Sequence, residues 1–152
     1  HPHVFGTESR DKSAQQQTYP PILNLHTIDG AFEIVGPGGP IPFRPFRVGH
    51  GSIDALGFRI GGLAYLPDVA EIYDDAWEEL ADLDTWIVDA LRRTPHPTHA
   101  HLDQALEWIA KITPRQAVLT NMHIDMDYEA VLRDTPDHVT AAFDGMTLDA
   151  EI

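Results

Sequence analysis

The apolar positions of this chain follow two spacings. Up to Leu66 they come in short runs at 22–25, 32–35, 43–48, 58–60 and 63–66, parted by Asp29-Gly30, Gly36-Pro37-Gly38-Gly39-Pro40 and Gly61-Gly62. Short runs bounded by Gly, Pro and Asp predict strands joined by tight turns. After Asp68 the spacing changes. Asp74 and Asp75 open a predicted helix through Trp77 and Leu80, where acidic residues suit the amino end of the helix dipole. The run 85–88 reads as a buried strand ending at Asp89. Leu102, Ala105, Leu106, Ile109 and Ile112 recur at three- and four-residue intervals, which predicts an amphipathic helix between Thr98 and Lys111 that Pro114 stops. A further buried strand is predicted over 117–120 and a short helix over 128–133, with a closing hairpin of 140–143 and 146–148 around Asp144-Gly145.

Strands first, then strand, helix, strand, helix, strand, is the order of an α/β arrangement with a mixed sheet, whose strand-end loops carry the chemistry. The stretch before residue 19 is polar, with Gln15, Gln16 and Gln17 in succession, and is expected to be irregular. At 152 residues the chain fits one domain, and 43% hydrophobic against 22% charged residues is the balance of a folded globular protein.

Ten Lys and Arg against 24 Asp and Glu leave a formal net charge of −14. Such a surface repels phosphate backbones and argues against a nucleic-acid polymer or an anionic membrane as partner. It leaves room for a small phosphorylated molecule where a metal cation reverses the local field. The absence of cysteine excludes disulfides and thiolate metal sites. With no apolar run of roughly 20 residues and no basic-then-hydrophobic leader, the expectation is a cytoplasmic protein.

Nine histidines direct attention to nitrogen and oxygen ligands. His50 follows the run 43–48, Asp68 ends 63–66, Asp89 ends 85–88, and His123 follows 117–120. Imidazole and carboxylate delivered to one sheet edge suit zinc, manganese or iron. The same residues also have plainer roles, the aspartates as turn formers or helix caps and the histidines as solvated side chains. Asp127 reads as the cap of the helix at Tyr128, and Asp125 as a partner orienting a ligand imidazole. Thr98 is placed to cap the long helix, and His99 or His101 to steady an anion at its amino end or donate a proton.

Several blocks together carry a resemblance. Val48-Gly49-His50-Gly51, Ala64-Tyr65-Leu66-Pro67-Asp68-Val69, Ile87-Val88-Asp89-Ala90-Leu91-Arg92, Pro95-His96-Pro97-Thr98-His99, Leu119-Thr120-Asn121-Met122-His123 and Phe143-Asp144-Gly145-Met146 resemble the carboxyl half of metallo-β-lactamase-fold hydrolases. The resemblance is to the phosphoribosyl cyclic phosphodiesterase-like branch and runs from about Tyr19 onward.

It implies a partial metallo-β-lactamase-like αββα sandwich with a mixed sheet, residues 19–152 forming the carboxyl half of the domain and 1–18 an irregular lead-in. It implies two divalent transition metals, manganese or zinc, and hydrolysis of a small phosphodiester or cyclic phosphate by a metal-bound hydroxide. By the same resemblance His50 is a metal ligand, Asp68 bridges the metals and serves catalysis, and His99 meets the phosphate or leaving group. His1 and His3 match the first two histidines of the family's amino-terminal ligand motif, while Phe5 and Gly6 stand where that motif has Asp and His. The family's last ligand position is Asn121 here, and His123, two residues on, is taken as its replacement. The alternative reading is an inactive fragment or interaction scaffold, or one half of an enzyme completed by a second copy or by a missing amino-terminal half.

Overall fold

A computed structural model describes residues 22–151. The elements in chain order are β1 (Phe32–Gly36), β2 (Gly39–His50), β3 (Ile53–Ile60), β4 (Leu63–Leu66), α1 (Ala76–Glu79), β5 (Thr85–Asp89), α2 (Leu102–Ile112), β6 (Gln116–Thr120), α3 (Tyr128–Asp134) and β7 (Val139–Ala141). The seven strands lie in sequence order in one mixed sheet. Strands β1 to β4 pair antiparallel, and β4 to β7 pair parallel through the crossovers that contain the helices. This is the α/β architecture with a mixed sheet flanked by helices that the pattern of runs predicts.

Register explains the core. Ala64 lies beside Trp86, Trp86 beside Ala117 and Ala117 beside Val139, with Leu66, Val88, Leu119 and Ala141 forming the next row. Side chains on alternate strand residues share a face. These residues, with Phe46 and Val48 of β2, form one buried cluster with Ala76, Leu102, Ala105, Ile109 and Val131 from the three helices. The other face carries Phe58, Tyr65, Ile87, Val118 and Thr140 in register. Beside them Phe32, Phe43 and Phe58 pack ring to ring with centroids 5.1–6.2 Å apart. Tyr65 stays 41% exposed there, whereas Val118 is buried.

Several expectations shift. Residues 22–25 form no strand, and their apolar side chains lie exposed. Strand β2 begins at Gly39 because the turn needs only Pro37 and Gly38, which leaves Pro40 and Pro42 within the strand. Helix α2 starts at Leu102 and not near Thr98, because Leu91 N–H donates to Ala100 C=O and Leu102 N–H to Arg92 C=O, which ties the chain beside Leu91 and Arg92 and leaves His101 extended just ahead of the helix. The predicted closing hairpin is absent: β7 ends at Ala141, and 142–151 run from Leu119 C=O, which accepts Ala142 N–H, to Gly62, whose N–H donates to Glu151 C=O. Among the described residues no helix is long and apolar enough to cross a membrane.

Candidate metal centre

Strand direction decides where the polar residues gather. Since β2 is antiparallel to β3 and β3 to β4, strand β2 runs the same way as β4, β5, β6 and β7. Five carboxyl ends therefore share one edge, the edge at which open α/β sheets bind ligands. His50 closes β2, Asp68 follows β4, Asp89 closes β5 and Asn121 follows β6.

The loops between them are tied down. Ala70 N–H donates to Gly49 C=O at 2.8 Å and Gly49 N–H to Glu71 C=O at 2.9 Å, so the loop bearing Asp68 is fixed to the end of β2 beside His50. His50 Nδ1 meets Thr98 C=O at 2.5 Å. Gly51 permits that approach: its φ is +69°, and a Cβ there would stand 2.5 Å from Thr98 Cγ2. The long loop after β5 is held by Leu91, whose C=O accepts His123 N–H at 2.8 Å, and by Arg92, whose guanidinium donates to Thr94 C=O at 3.0 Å.

His50, Asp68 and His99 offer ligand atoms that all lie within 4.8 Å of one another. Asp68 is half-exposed, while His99 is mostly covered and lies edge-on to His50 with ring centroids 4.6 Å apart. Asp89, fully buried, sits behind them. Its Oδ2 accepts Val69 N–H at 3.1 Å and approaches His99 Nδ1 at 2.8 Å, and its Oδ1 accepts from Asn121 Nδ2 at 3.4 Å. Burial pushes the Asp89 carboxyl above the ordinary carboxylate range, against the pull of the Val69 amide and of His99. Nearby, burial and the Arg92 charge lower the His96 imidazole.

The donor set suits a cation. Thr98 C=O engages Nδ1 of His50 and Asp89 engages Nδ1 of His99, which leaves each Nε2 as the nitrogen with a free lone pair. A carboxylate or carbonyl behind a ligand imidazole is the usual support of a metal-binding histidine. Two nitrogens and one carboxylate oxygen match the three protein ligands of hydrolytic zinc sites, which keep a position open.

The sequence-derived candidates divide accordingly. His50 and Asp68 come together, and His99 joins them as a third ligand candidate, a place that the resemblance gave to a phosphate contact. His123 stands apart: it is exposed, and its Nδ1 pairs with Asp125 Oδ1 at 3.0 Å. Asp127 caps α3 by accepting Ala130 N–H at 2.8 Å, as its place before Tyr128 predicts. His1 and His3 lie outside the described residues, and His50, Asp68 and His99 form the single ligand cluster found among the described ones. Sequence reasoning placed Asp89 at the ligand-bearing edge and Asn121 at a ligand position of the family, but did not foresee Asp89 as the buried carboxylate that holds His99 and the Asn121 amide. The available signal was an Asp ending a wholly apolar run, which is buried by position and must find donors.

A family model described as "Beta-lactamase superfamily domain" matches residues 3–124. The chain belongs to that superfamily. Its fold is metallo-β-lactamase-like. A Porphyromonas gingivalis (strain ATCC BAA-308 / W83) protein named octanoyltransferase is 28% identical over 138 residues, which cover 87% of this chain and 27% of that protein. Among solved structures, a new diphosphatase from the PhnP family superposes with a TM-score of 0.77 at 34% identity, covering 83% of this chain and 48% of that one. The short form of human tRNase Z superposes with a TM-score of 0.56 at 19% identity, covering 74% and 44%, a likeness of fold. This chain thus spans about half the length of those solved chains and about a quarter of the curated relative.

Proposed function

We propose that this superfamily member is a metal-dependent hydrolase of small phosphodiesters or cyclic phosphates. The observation that carries the reading is the grouping of His50, Asp68 and His99 ligand atoms within 4.8 Å, with both imidazoles supported at Nδ1. The 34% identity to a diphosphatase of the PhnP family supports a phosphate-containing substrate. Manganese or zinc fits the nitrogen and carboxylate donors. When bound, such a cation supplies Lewis acidity toward a phosphoryl oxygen and lowers the pKa of water.

The chain's own residues supply the rest. Thr98 C=O and the Asp89 carboxylate fix the two imidazoles, so their orientation requires little ordering when ligand arrives. Half-exposed Asp68 places its carboxylate at the solvent side, where a substrate enters. Asn121 stands beside His99 with its amide 3.3 Å from Nδ1 and offers an uncharged donor. With a net charge of −14 on the whole chain, an anionic ester approaches this edge favourably only where a cation offsets the field.

Hydrolysis of bis(p-nitrophenyl) phosphate with added Mn²⁺ or Zn²⁺ tests the proposal. Metal-dependent turnover that disappears in His50→Ala and Asp68→Ala is expected; turnover equal in the wild type and both variants contradicts it.

The sheet's second face favours one further reading, that another polypeptide layer completes the catalytic unit. Parallel strands are ordinarily covered on both faces, yet Tyr65 on this face is 41% exposed beside the Phe32, Phe43 and Phe58 cluster. Sedimentation analysis across concentration tests it. Self-association weakened by Tyr65→Glu supports completion by a second copy, and a monomer at all concentrations contradicts that form of it.

A further inference from the structure

The row of strand ends does not stop at the metal-ligand candidates. Beyond His50, Asp68, Asp89 and Asn121 it reaches the residues after β7, where Phe143 and Asp144 stand. A cavity of about 390 Å³ opens there, lined by Thr120, Asn121, Met122, Ala142, Phe143 and Asp144. That volume falls in the range of roughly 300–1,000 Å³ usual for small-molecule sites. Asn121 belongs to both places: it lines the cavity, and its amide lies 3.3 Å from His99 Nδ1. A molecule seated at His99 is thus one side chain away from the cavity.

Its lining is selective. Phe143 is 56% exposed, although no core position requires a large aromatic ring there. The ring is held all the same: Tyr128 packs against it edge-to-face with centroids 6.4 Å apart and planes at 87°, and Phe143 C=O accepts Met146 N–H at 3.0 Å. A ring fixed in this way gives a stacking surface at low ordering cost. Asp144, in the same cavity, is an acceptor when ionised and repels anions. This lining suits an uncharged or cationic planar group with hydrogen-bond donors on its edge.

We propose that this cavity holds one ester arm of the substrate, and that the arm is a planar heteroaromatic ring bearing N–H groups, stacked on Phe143 and donating to Asp144. The proposal rests on the reading of His50, Asp68 and His99 as a phosphate-ester site and names the class of ester that site takes. Phe143 and Asp144 are then specificity residues and make no contact with the reacting phosphorus.

Calorimetric titration of the full chain in saturating Mn²⁺ with adenosine 5′-monophosphate, phenyl phosphate and glycerol 3-phosphate reads this directly, without turnover. The nucleotide is expected to bind about tenfold more tightly than glycerol 3-phosphate, the scale of one base–aromatic stack. Phe143→Ala should abolish that preference, and Phe143→Trp should keep it. Phenyl phosphate binding as tightly as the nucleotide overturns the requirement for edge donors. Equal binding of all three esters, or a preference unchanged in Phe143→Ala, overturns the proposal. A parallel Mn²⁺ titration separates the two claims. Metal binding without ester preference removes this inference alone, whereas loss of both metal and ester binding removes the phosphate-ester reading with it.

Discussion

His99 Nδ1 lies 2.8 Å from Asp89 Oδ2, and that oxygen also accepts Val69 N–H at 3.1 Å, one residue past Asp68. A single buried carboxylate therefore orients one candidate ligand and fixes the loop that carries another. The arrangement makes Asp89 a positioning residue for two of the three ligand candidates.

Asp89→Asn is the sharpest test of that role. One oxygen faces two N–H donors and the other faces the Asn121 amide, so a carboxamide must turn its own NH2 toward at least one donor. Metal affinity should fall by about 10–100-fold, and stability by about 1–3 kcal/mol. Calorimetric metal titration and urea denaturation measure the two effects, and unchanged metal affinity would deny Asp89 its role.

Asn121→His should move affinity the other way. Asn121 has φ 62°, a left-handed conformation that His tolerates better than most residues, and its amide already lies 3.3 Å from His99 Nδ1. The substitution adds an imidazole beside the three candidate ligands, so tighter Zn²⁺ binding than in the wild type is expected in competition with a chelator.

Gly57 tests the core. A Cβ at this position would stand 2.5 Å from Phe46 Cζ and 2.9 Å from Leu66 Cδ1, both of them buried. Gly57→Ala should destabilise the fold by about 1–3 kcal/mol through overpacking, seen as a lower urea midpoint at unchanged slope.

Acid stability should depend on Asp84. Its hydrogen bonds with Arg115, at 2.6 and 2.9 Å, and with the Thr85 hydroxyl hold the carboxyl below its ordinary range. A lowered folded-state pKa adds stability above the unfolded value, and that stability disappears as pH falls through the folded one. The melting temperature of Asp84→Asn should accordingly change less than the wild type's below about pH 4. Raised salt should shrink the difference, since the pair is exposed.

Much of the fold was legible because burial writes a period into the chain. Strand β4 falls on the run 63–66, and β5 and β6 each extend the predicted run by one residue at an end. The start of α2 was not legible, since hydrogen bonds from Leu91 to Ala100 and from Leu102 to Arg92 keep the chain out of the helix as far as His101. The run 22–25 has strand composition, yet it forms no strand in the described fold. His50 and Asp68 were legible as polar residues at strand ends. The place of His99 among the ligand candidates was not, because it comes from a loop whose path depends on contacts with Gly51, Arg92 and Asp89.

The most direct test of the central claim is a titration of Mn²⁺ and Zn²⁺ into the purified chain, with bound metal confirmed by elemental analysis. Saturable binding is expected, lost in His50→Ala, Asp68→Ala and His99→Ala and retained in His123→Ala. No saturable binding, or binding indifferent to the first three substitutions, would contradict it.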